Sequence, residues 1–336
     1  MSFSPVGLPT PESIREVFDA FNKIKVLVIG DSMIDTYLIG SVDRMSPEAP
    51  VPVLNVQEET HRLGGAANVA LNLQSLGAQV TLASIVGNDA NASLFKVLLA
   101  DSGLTSEYIL SLEDRPTTQK KRVMSGPKHL LRMDYEEDRL ISTDDSTHFF
   151  QTITSLFSQV DLVIIEDYDK GLLNQALIDQ IKSEAKKNRL PVCVDPKFRN
   201  FKHYQEVDLL KPNLVEFKSA IGNDRFEVGK IDSLVKELRK GMSVSNLMLT
   251  MGSKGILYNS DTHNGNYPVK ERGVADVSGA GDTVMAIASL VFLLGLSPNV
   301  IAELSNLGGG IVCESPGVVP ISKSRLHEEA VKAKLL

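Results

Sequence analysis

A doubly wound α/β body carrying a small projecting β-sheet is the architecture the sequence predicts, on three observations. Short β-branched runs recur at 25–29, 79–86, 162–165, 191–194, 209–211 and 246–250. Between most of them lie stretches with helical apolar spacing, at 66–75, 90–101, 173–187 and 231–240, the alternation that βαβ units around a mostly parallel sheet require. Two segments, 36–63 and 114–134, break the rhythm: they alternate apolar and polar residues, as in Val51-Pro52-Val53-Leu54-Asn55-Val56, and predict antiparallel strands forming a lid. Ahead of the body, Thr10-Pro11-Glu12 followed by Ile14, Val17 and Phe18 predicts a helix with Pro at its first position, making 1–23 a helical extension and 24–330 one domain.

Composition excludes several classes. Of 336 residues, 43% are hydrophobic and 23% charged, which argues against disorder. The formal charge is −7, and no basic run exceeds Lys120-Lys121-Arg122, so no nucleic-acid or anionic-membrane footprint is expected. The N-terminus has no apolar leader, and the longest apolar stretch, 285–296, is short of a membrane span; a cytoplasmic protein is expected. Cys193 and Cys313 sit in apolar stretches and read as buried thiols of a reducing compartment.

The most informative stretch is Asp276-Val277-Ser278-Gly279-Ala280-Gly281-Asp282-Thr283, which opens a long apolar helix. Small residues there let the first backbone N–H groups face an anion, and the helix dipole favours negative charge. Asp282 fits either of two roles: a general base beside an anion hole that receives a phosphoryl group, or a helix N-cap. A second glycine-rich element, Gly64-Gly65-Ala66-Ala67-Asn68, opens another helix beside the lid, where Asn68 could bind sugar hydroxyls or the glycines could simply permit tight packing. Asp31 and Asp35 follow the first strand, where open α/β sheets place ligands; hydroxyl binding and capping both fit.

Three further strand ends carry polar clusters: Glu166-Asp167-Tyr168-Asp169-Lys170-Gly171, Asp195-Pro196-Lys197-Phe198-Arg199 and Lys211-Pro212-Asn213-Leu214-Val215-Glu216. Their shared position gathers them along one edge of the sheet as a polar crevice. Asn213 and Glu216 lie one helical turn apart, suited to a magnesium hydration shell, and Lys197 and Arg199 could neutralise phosphate charge. No G-x-x-x-x-G-K-[ST] is present, Gly279-x-Gly281 lacks the third glycine of a dinucleotide fingerprint, and the six histidines have no zinc-ligand spacing.

With these residues in place, the sequence resembles the ribokinase-like, PfkB-type carbohydrate kinases from about 24 to 320. Gly64-Gly65…Asn68 is similar to the first signature of that family and Asp276…Gly279-Ala280-Gly281-Asp282 to the second, with Asn213…Glu216 between them. The resemblance implies a ribokinase-like fold, ATP and Mg²⁺, with Asp282 as base and the N–H groups of Gly279, Ala280 and Gly281 as anion hole. It further implies Asn213 and Glu216 at the magnesium-water and phosphate position, and Asp35, Gly64, Gly65 and Asn68 at the sugar. Thr250, Gly252, Lys254 and Gly255 fall on the nucleotide loop, and Asp276 with 313–317 on a monovalent cation, usually potassium. Val277-Ser278 stands where the family more often has two hydroxyl residues.

Within the family, Arg44-Met45-Ser46-Pro47-Glu48-Ala49-Pro50-Val51-Pro52-Val53, Asp167-Tyr168…Lys170-Gly171 and Asp195-Pro196-Lys197 are similar to the branch that phosphorylates O1 of D-glycero-β-D-manno-heptose 7-phosphate, towards ADP-heptose and the lipopolysaccharide core. The sugar's own phosphate then needs a basic clamp, for which Arg44, Lys120, Arg122, Arg132 and Lys170 are the candidates. A homodimer through the lid sheets is implied. The resemblance ends near Pro320 and no H-x-G-H is present, so a kinase without a fused nucleotidyltransferase is expected. The alternatives are a related kinase acting on ribose, fructose 1-phosphate or a nucleoside, and a non-catalytic sugar- or nucleotide-binding regulator.

Overall fold

The computed structural model describes residues 10–126 and 128–336; the first nine residues of the expected extension lie outside the described residues. Helix α1 (Ile14–Phe21) is capped by Ser13, whose hydroxyl accepts from the Glu16 N–H. Pro11 therefore precedes the cap, a correction to its expected place at the first helical position. A serine hydroxyl satisfies an N–H group that the helix end leaves open, so the helix starts there.

Strand β1 (Lys25–Gly30) leads almost directly into β2 (Ser32–Met45), β3 (Pro52–Gly65), α2 (Ala66–Leu76), β4 (Gln79–Gly87) and α3 (Ala90–Asp101). Then come β5 (Ile109–Leu112), β6 (Gln119–Ser125), β7 (Lys128–Tyr135) and α4 (Thr143–Ile153). The second half runs β8 (Leu162–Glu166), α5 (Gln175–Lys187), β9 (Val192–Asp195), β10 (Leu209–Leu210), α6 (Leu214–Ile221) and α7 (Ile231–Gly241). It ends with β11 (Asn246–Thr250), β12 (Ile256–Asn259), β13 (Asn264–Tyr267), α8 (Ala280–Leu293), α9 (Pro298–Val312) and α10 (Lys323–Lys332).

Among the described residues, nine strands form the main sheet in the order β13-β12-β11-β10-β9-β8-β1-β4-β5. It is parallel except for the β11–β12 and β12–β13 pairs, which are antiparallel. Both faces are covered, and β1 shows it residue by residue: Val26 and Val28 enter one apolar core with α1, α2, α8 and α9, while Leu27 and Ile29 enter the other with α4 and α5. That two-sided burial is why the strand reads as an unbroken apolar run.

The lid is a second sheet, ordered β3-β2-β6-β7. Two expectations change here. The β2–β6 pair is parallel, so the lid is mixed rather than wholly antiparallel. The lid strands also run back to Ser32 and on to Gly65, so the sheet is rooted at the ends of β1 and α2 instead of beginning at 36. On the other side, 114–118 is not strand, and β6 starts at Gln119.

Helix α8 is buried almost all round, from Asp282 to Val291. It packs on α9, where Gly308 and Gly309 leave room: a Cβ on Gly308 would collide with the Ile287 side chain, and one on Gly309 would lie 2.9 Å from Val284 Cγ2. Gly308→Leu is expected to destabilise the fold by ~1–3 kcal/mol or more through overpacking, read as a lower urea midpoint; an unchanged midpoint would contradict the close α8–α9 approach.

Candidate active site

The strand register builds the crevice. Gly30 pairs with Glu166, Glu166 with Asp195, and Leu210 with Val194, so Asp31, Asp167, Asp195 and Lys211 follow one another across the carboxyl ends of β1, β8, β9 and β10. Lys211 Nζ lies 2.6 Å from Asp195 Oδ2, and single carboxylate oxygens of Glu166, Asp195 and Asp282 lie within 4.8 Å of one another. Both Glu166 oxygens are buried without a hydrogen-bond partner. Burial, then the neighbouring Asp195 and Asp282, holds the Glu166 carboxyl well above the usual carboxylate range, favouring its protonated form. Burial works against the Lys211 charge, but Asp195 and Glu166 outweigh it and keep the ammonium ionised.

Asp282 sits over this row in the first turn of α8. The N-cap of α8 is Gly279, at φ 78, with no side-chain cap, and a Cβ there would lie 2.8 Å from Asn68 Nδ2. Glycine is needed at that position, and Asp282 does not serve as the cap. Its carboxylate is instead held by partners from other elements: Asn68 Nδ2 donates to Oδ2 at 2.6 Å, and the Tyr168 hydroxyl donates to Oδ1. Burial raises the Asp282 carboxyl, while Tyr168, Asn68 and Lys211 pull it back. The opening N–H groups of a helix have no partner within it; in the Gly279–Gly281 turn beside this carboxylate the Ala280 N–H donates to the Val277 carbonyl at 3.3 Å.

Asn68 is fully buried. Asn72 Nδ2 donates to its backbone carbonyl at 2.8 Å, and Asn72 Oδ1 in turn accepts from the Thr283 hydroxyl at 2.9 Å and Ile321 N–H at 3.0 Å. Asn68, whose Oδ1 also accepts from Asn72 Nδ2 at 3.2 Å, thus braces the carboxylate. Asp35 is nearly buried, paired with Arg122, and faces Gly64, where any Cβ would strike its carboxylate.

The Asp31 carboxylate accepts the N–H groups of Tyr168 and Lys170 at 3.0 Å and of Leu172 at 3.2 Å. Asp167 accepts from Asn200, Tyr204 and its own loop. Both therefore shape the 167–172 loop, with their oxygens turned to protein donors. Among the basic candidates, Arg122 stands at the Asp35 side, over the Tyr37 ring at 5.3 Å. Lys170 pairs with Glu136 at 3.0 Å, Lys120 with Asp134 and Glu136, and Arg132 with Asp134. Arg44 is exposed at the far end of β2.

At the other end of the row, Asn213 caps α6 in a reciprocal box with Glu216, and Lys197 Nζ reaches Glu216 Oε1 at 2.6 Å. A buried carboxylate and an amide oxygen at one helix start are hard oxygen donors and fit a hydrated divalent cation. Thr250 bridges to Asn213, and Gly252, Lys254 and Gly255 form the turn that follows β11. Asp276 Oδ1 accepts from Ser278 N–H at 2.9 Å and Oδ2 from Gly317 N–H at 3.0 Å. Burial opposes the Asp276 charge, yet these backbone donors bring its carboxyl below the usual range. Cys313 is only partly buried, and its carbonyl accepts from Ala275 and Asp276 N–H, lacing the two loops together.

Sequence reasoning named Glu166, Tyr168, Asp195 and Lys211 within clusters but did not put them in the site; the signal was their common position at strand ends. Arg62 was missed: it donates to the carbonyls of Pro316 at 3.1 Å and Val318 at 2.8 Å, tying the lid to the loop that holds Asp276.

Residues 23–324 match the family of pfkB carbohydrate kinases. The chain belongs to that family. It is 35% identical over 308 residues to the D-beta-D-heptose 7-phosphate kinase of Bordetella bronchiseptica, covering 92% of this chain and 96% of that one. It is 35% identical to the bifunctional protein HldE of Methylobacillus flagellatus over 90% of this chain, and spans 62% of that relative's length. The fold is that of phosphofructokinase-2 from Escherichia coli in complex with potassium, at a TM-score of 0.76 and 16% identity over 93% of this chain and 99% of that one. Arabidopsis thaliana ribokinase complexed with ribose and ATP aligns at 0.70 and 18% identity, over 91% and 99%. No helix among the described residues is long and apolar enough to cross a membrane.

The buried acids set the pH response of stability. Asp167 is pushed up to about 6 by burial and then by Asp31, and burial also raises Asp31 and Asp282. A carboxyl raised on folding binds its proton more tightly in the folded state, so its contribution is full below the unfolded value and lost as pH climbs through the folded one. Asp276 and Asp89, lowered on folding, act oppositely and only at lower pH, where their stabilisation is lost as pH falls. The melting temperature is expected to fall between about pH 5 and pH 7, less steeply in Asp167→Asn; a rise over that interval would contradict it.

Proposed function

We propose that this kinase transfers the γ-phosphoryl group of ATP to O1 of D-glycero-β-D-manno-heptose 7-phosphate, in the cytoplasm, supplying heptose for ADP-heptose and lipopolysaccharide core synthesis. The observation that carries the substrate is the relative named for this sugar phosphate, matched over nearly the whole of both chains. The geometry of Asp282 supports the chemistry. Its carboxylate is oriented from two sides, stands beside the opening N–H groups of α8, and can take the acceptor's proton as that oxygen attacks phosphorus and ADP leaves. An anomeric hydroxyl is more acidic than an ordinary one, which suits a carboxylate base.

Asn213 and Glu216 would hold Mg²⁺ through water, and that ion would offset charge on the phosphates. Lys197 adds a positive charge beside them, and Thr250, Gly252, Lys254 and Gly255 would line the nucleotide. Asp35, Gly64 and Gly65 would take the sugar, with Asn68 beside the base. Arg122 is favoured as the clamp for the sugar's phosphate, because its planar guanidinium already holds a carboxylate in a nearly buried place. Exposed Met45, Val56, Leu131 and Tyr135 on the lid support a homodimer formed through the lid sheets.

ADP release measured with heptose 7-phosphate, unphosphorylated heptose, fructose 1-phosphate, ribose and a nucleoside tests the substrate. The 7-phosphate is expected to give the highest kcat/KM, and Asp282→Asn to lose roughly 10²–10⁴-fold; equal use of the free heptose would reassign the substrate, and an active Asp282→Asn would reject the base.

Asp276 and the 313–317 loop would form a potassium site, a reading supported by the potassium complex of a protein with the same fold. Exchanging potassium for tetramethylammonium should lower both activity and melting temperature, with recovery on adding potassium back. If neither responds, the site does not exist.

A further inference from the structure

The carboxylate of Asp282 lies among charges that pull it in different directions. Glu166 at the end of β8 and Asp195 at the end of β9 are close neighbours, Lys211 at the end of β10 attracts it, and Asp35 from β2 repels it. A base in such surroundings needs its orientation fixed. Asn68 supplies one tether, to Oδ2. The only other hydrogen-bond donor reaching this carboxylate among the described residues is the hydroxyl of Tyr168, to Oδ1.

Tyr168 is itself held at two further places. Its backbone N–H donates to Asp31 Oδ2 at 3.0 Å, which fixes the loop. Its ring lies 5.7 Å from Lys197 Nζ, and that ammonium pairs with Glu216 Oε1 at 2.6 Å. A phenol has few torsions to freeze, so it makes a stiff tether between the helix start that carries Glu216 and the one that carries Asp282.

We propose that Tyr168 is a positioning residue for phosphoryl transfer: by donating its hydroxyl to Asp282 Oδ1 it locks the carboxylate in the orientation that receives the acceptor's proton. The inference rests on Asp282 being the base. Each carboxylate oxygen retains a lone pair beyond the one its tether uses, so the lock leaves room for the acceptor hydroxyl.

Tyr168→Phe keeps the ring against Lys197 and removes only the donor. With the best acceptor of the substrate panel, kcat is expected to fall roughly 10–100-fold, the range for losing a hydrogen bond to a charged group, while KM for ATP and for the acceptor stay within about threefold. Replacing Tyr168 by 3-fluorotyrosine, which keeps the donor, should retain wild-type kcat. A Tyr168→Phe enzyme with unchanged kcat, or with a lowered acceptor KM at unchanged kcat, would overturn the inference; the second result would make the hydroxyl a stand-in for the acceptor. An active Asp282→Asn enzyme would instead overturn the base itself, so the two failures are distinct. Should Tyr168→Phe not fold by circular dichroism, the ¹⁹F resonance of fluorotyrosine at 168 decides. It is expected to move on Asp282→Asn, and an unmoved resonance would overturn the contact.

Discussion

The contact between α2 and α8 is the interaction on which the rest depends. Two asparagines one turn apart on α2 meet an aspartate and a threonine side by side on α8: Asn68 with Asp282, Asn72 with Thr283. All four are buried, and an unpaired polar group at such depth costs several times what a satisfied one contributes. The two helices therefore have one axial and rotational setting in which every group is paired. That setting carries the glycine-rich start of each helix to the same place, where the lid root and the opening turn of α8 face each other.

Around this joint the protein accepts a concentration of buried charge that a fold selected for stability alone would avoid. Glu166, Asp195 and Lys211 occupy adjoining strand ends because parallel strands in register place their termini side by side, and the first turn of α8 sets Asp282 over them. One ammonium faces three carboxyl groups, and Glu166, whose oxygens find no partner, is the one that burial and its acidic neighbours push towards its protonated form. Such a floor suits a site whose ligands arrive with cations and leave with a changed charge.

Much of this was legible in the residues. Apolar runs separated by helical spacing foretold the parallel body, since burial on both faces writes itself as unbroken β-branched sequence, and the two glycine-rich elements were legible as helix starts. What stayed hidden depends on pairing across distance. Nothing local in Asn68 says that its amide will meet Asp282 214 residues on, or that Asp31 will turn inward to collect three N–H groups. The parallel pairing of β2 with β6 was equally invisible, because alternation fixes which face a residue takes but not the direction of its neighbour. Pro11 misled for a simpler reason: Ser13, two residues on, is the better cap.

The rooting of the lid has a mechanical consequence. Strands β2 and β3, 14 residues each, leave the body at Ser32 and return at Gly65, paired along nearly their whole length. At ~3.3 Å per residue the tip lies roughly 45 Å along the strands from its base. The ribbon is thus a long arm that holds Asp35 and Gly64 near its base and ends at Met45 and Pro52. At the base Arg62, paired across the ribbon with Asp35, is clamped to the carbonyls of Pro316 and Val318 and ties the lid to the body. A load on the far end of the lid therefore meets the body first at the Arg62 clamp, one cross-strand pair from Asp35.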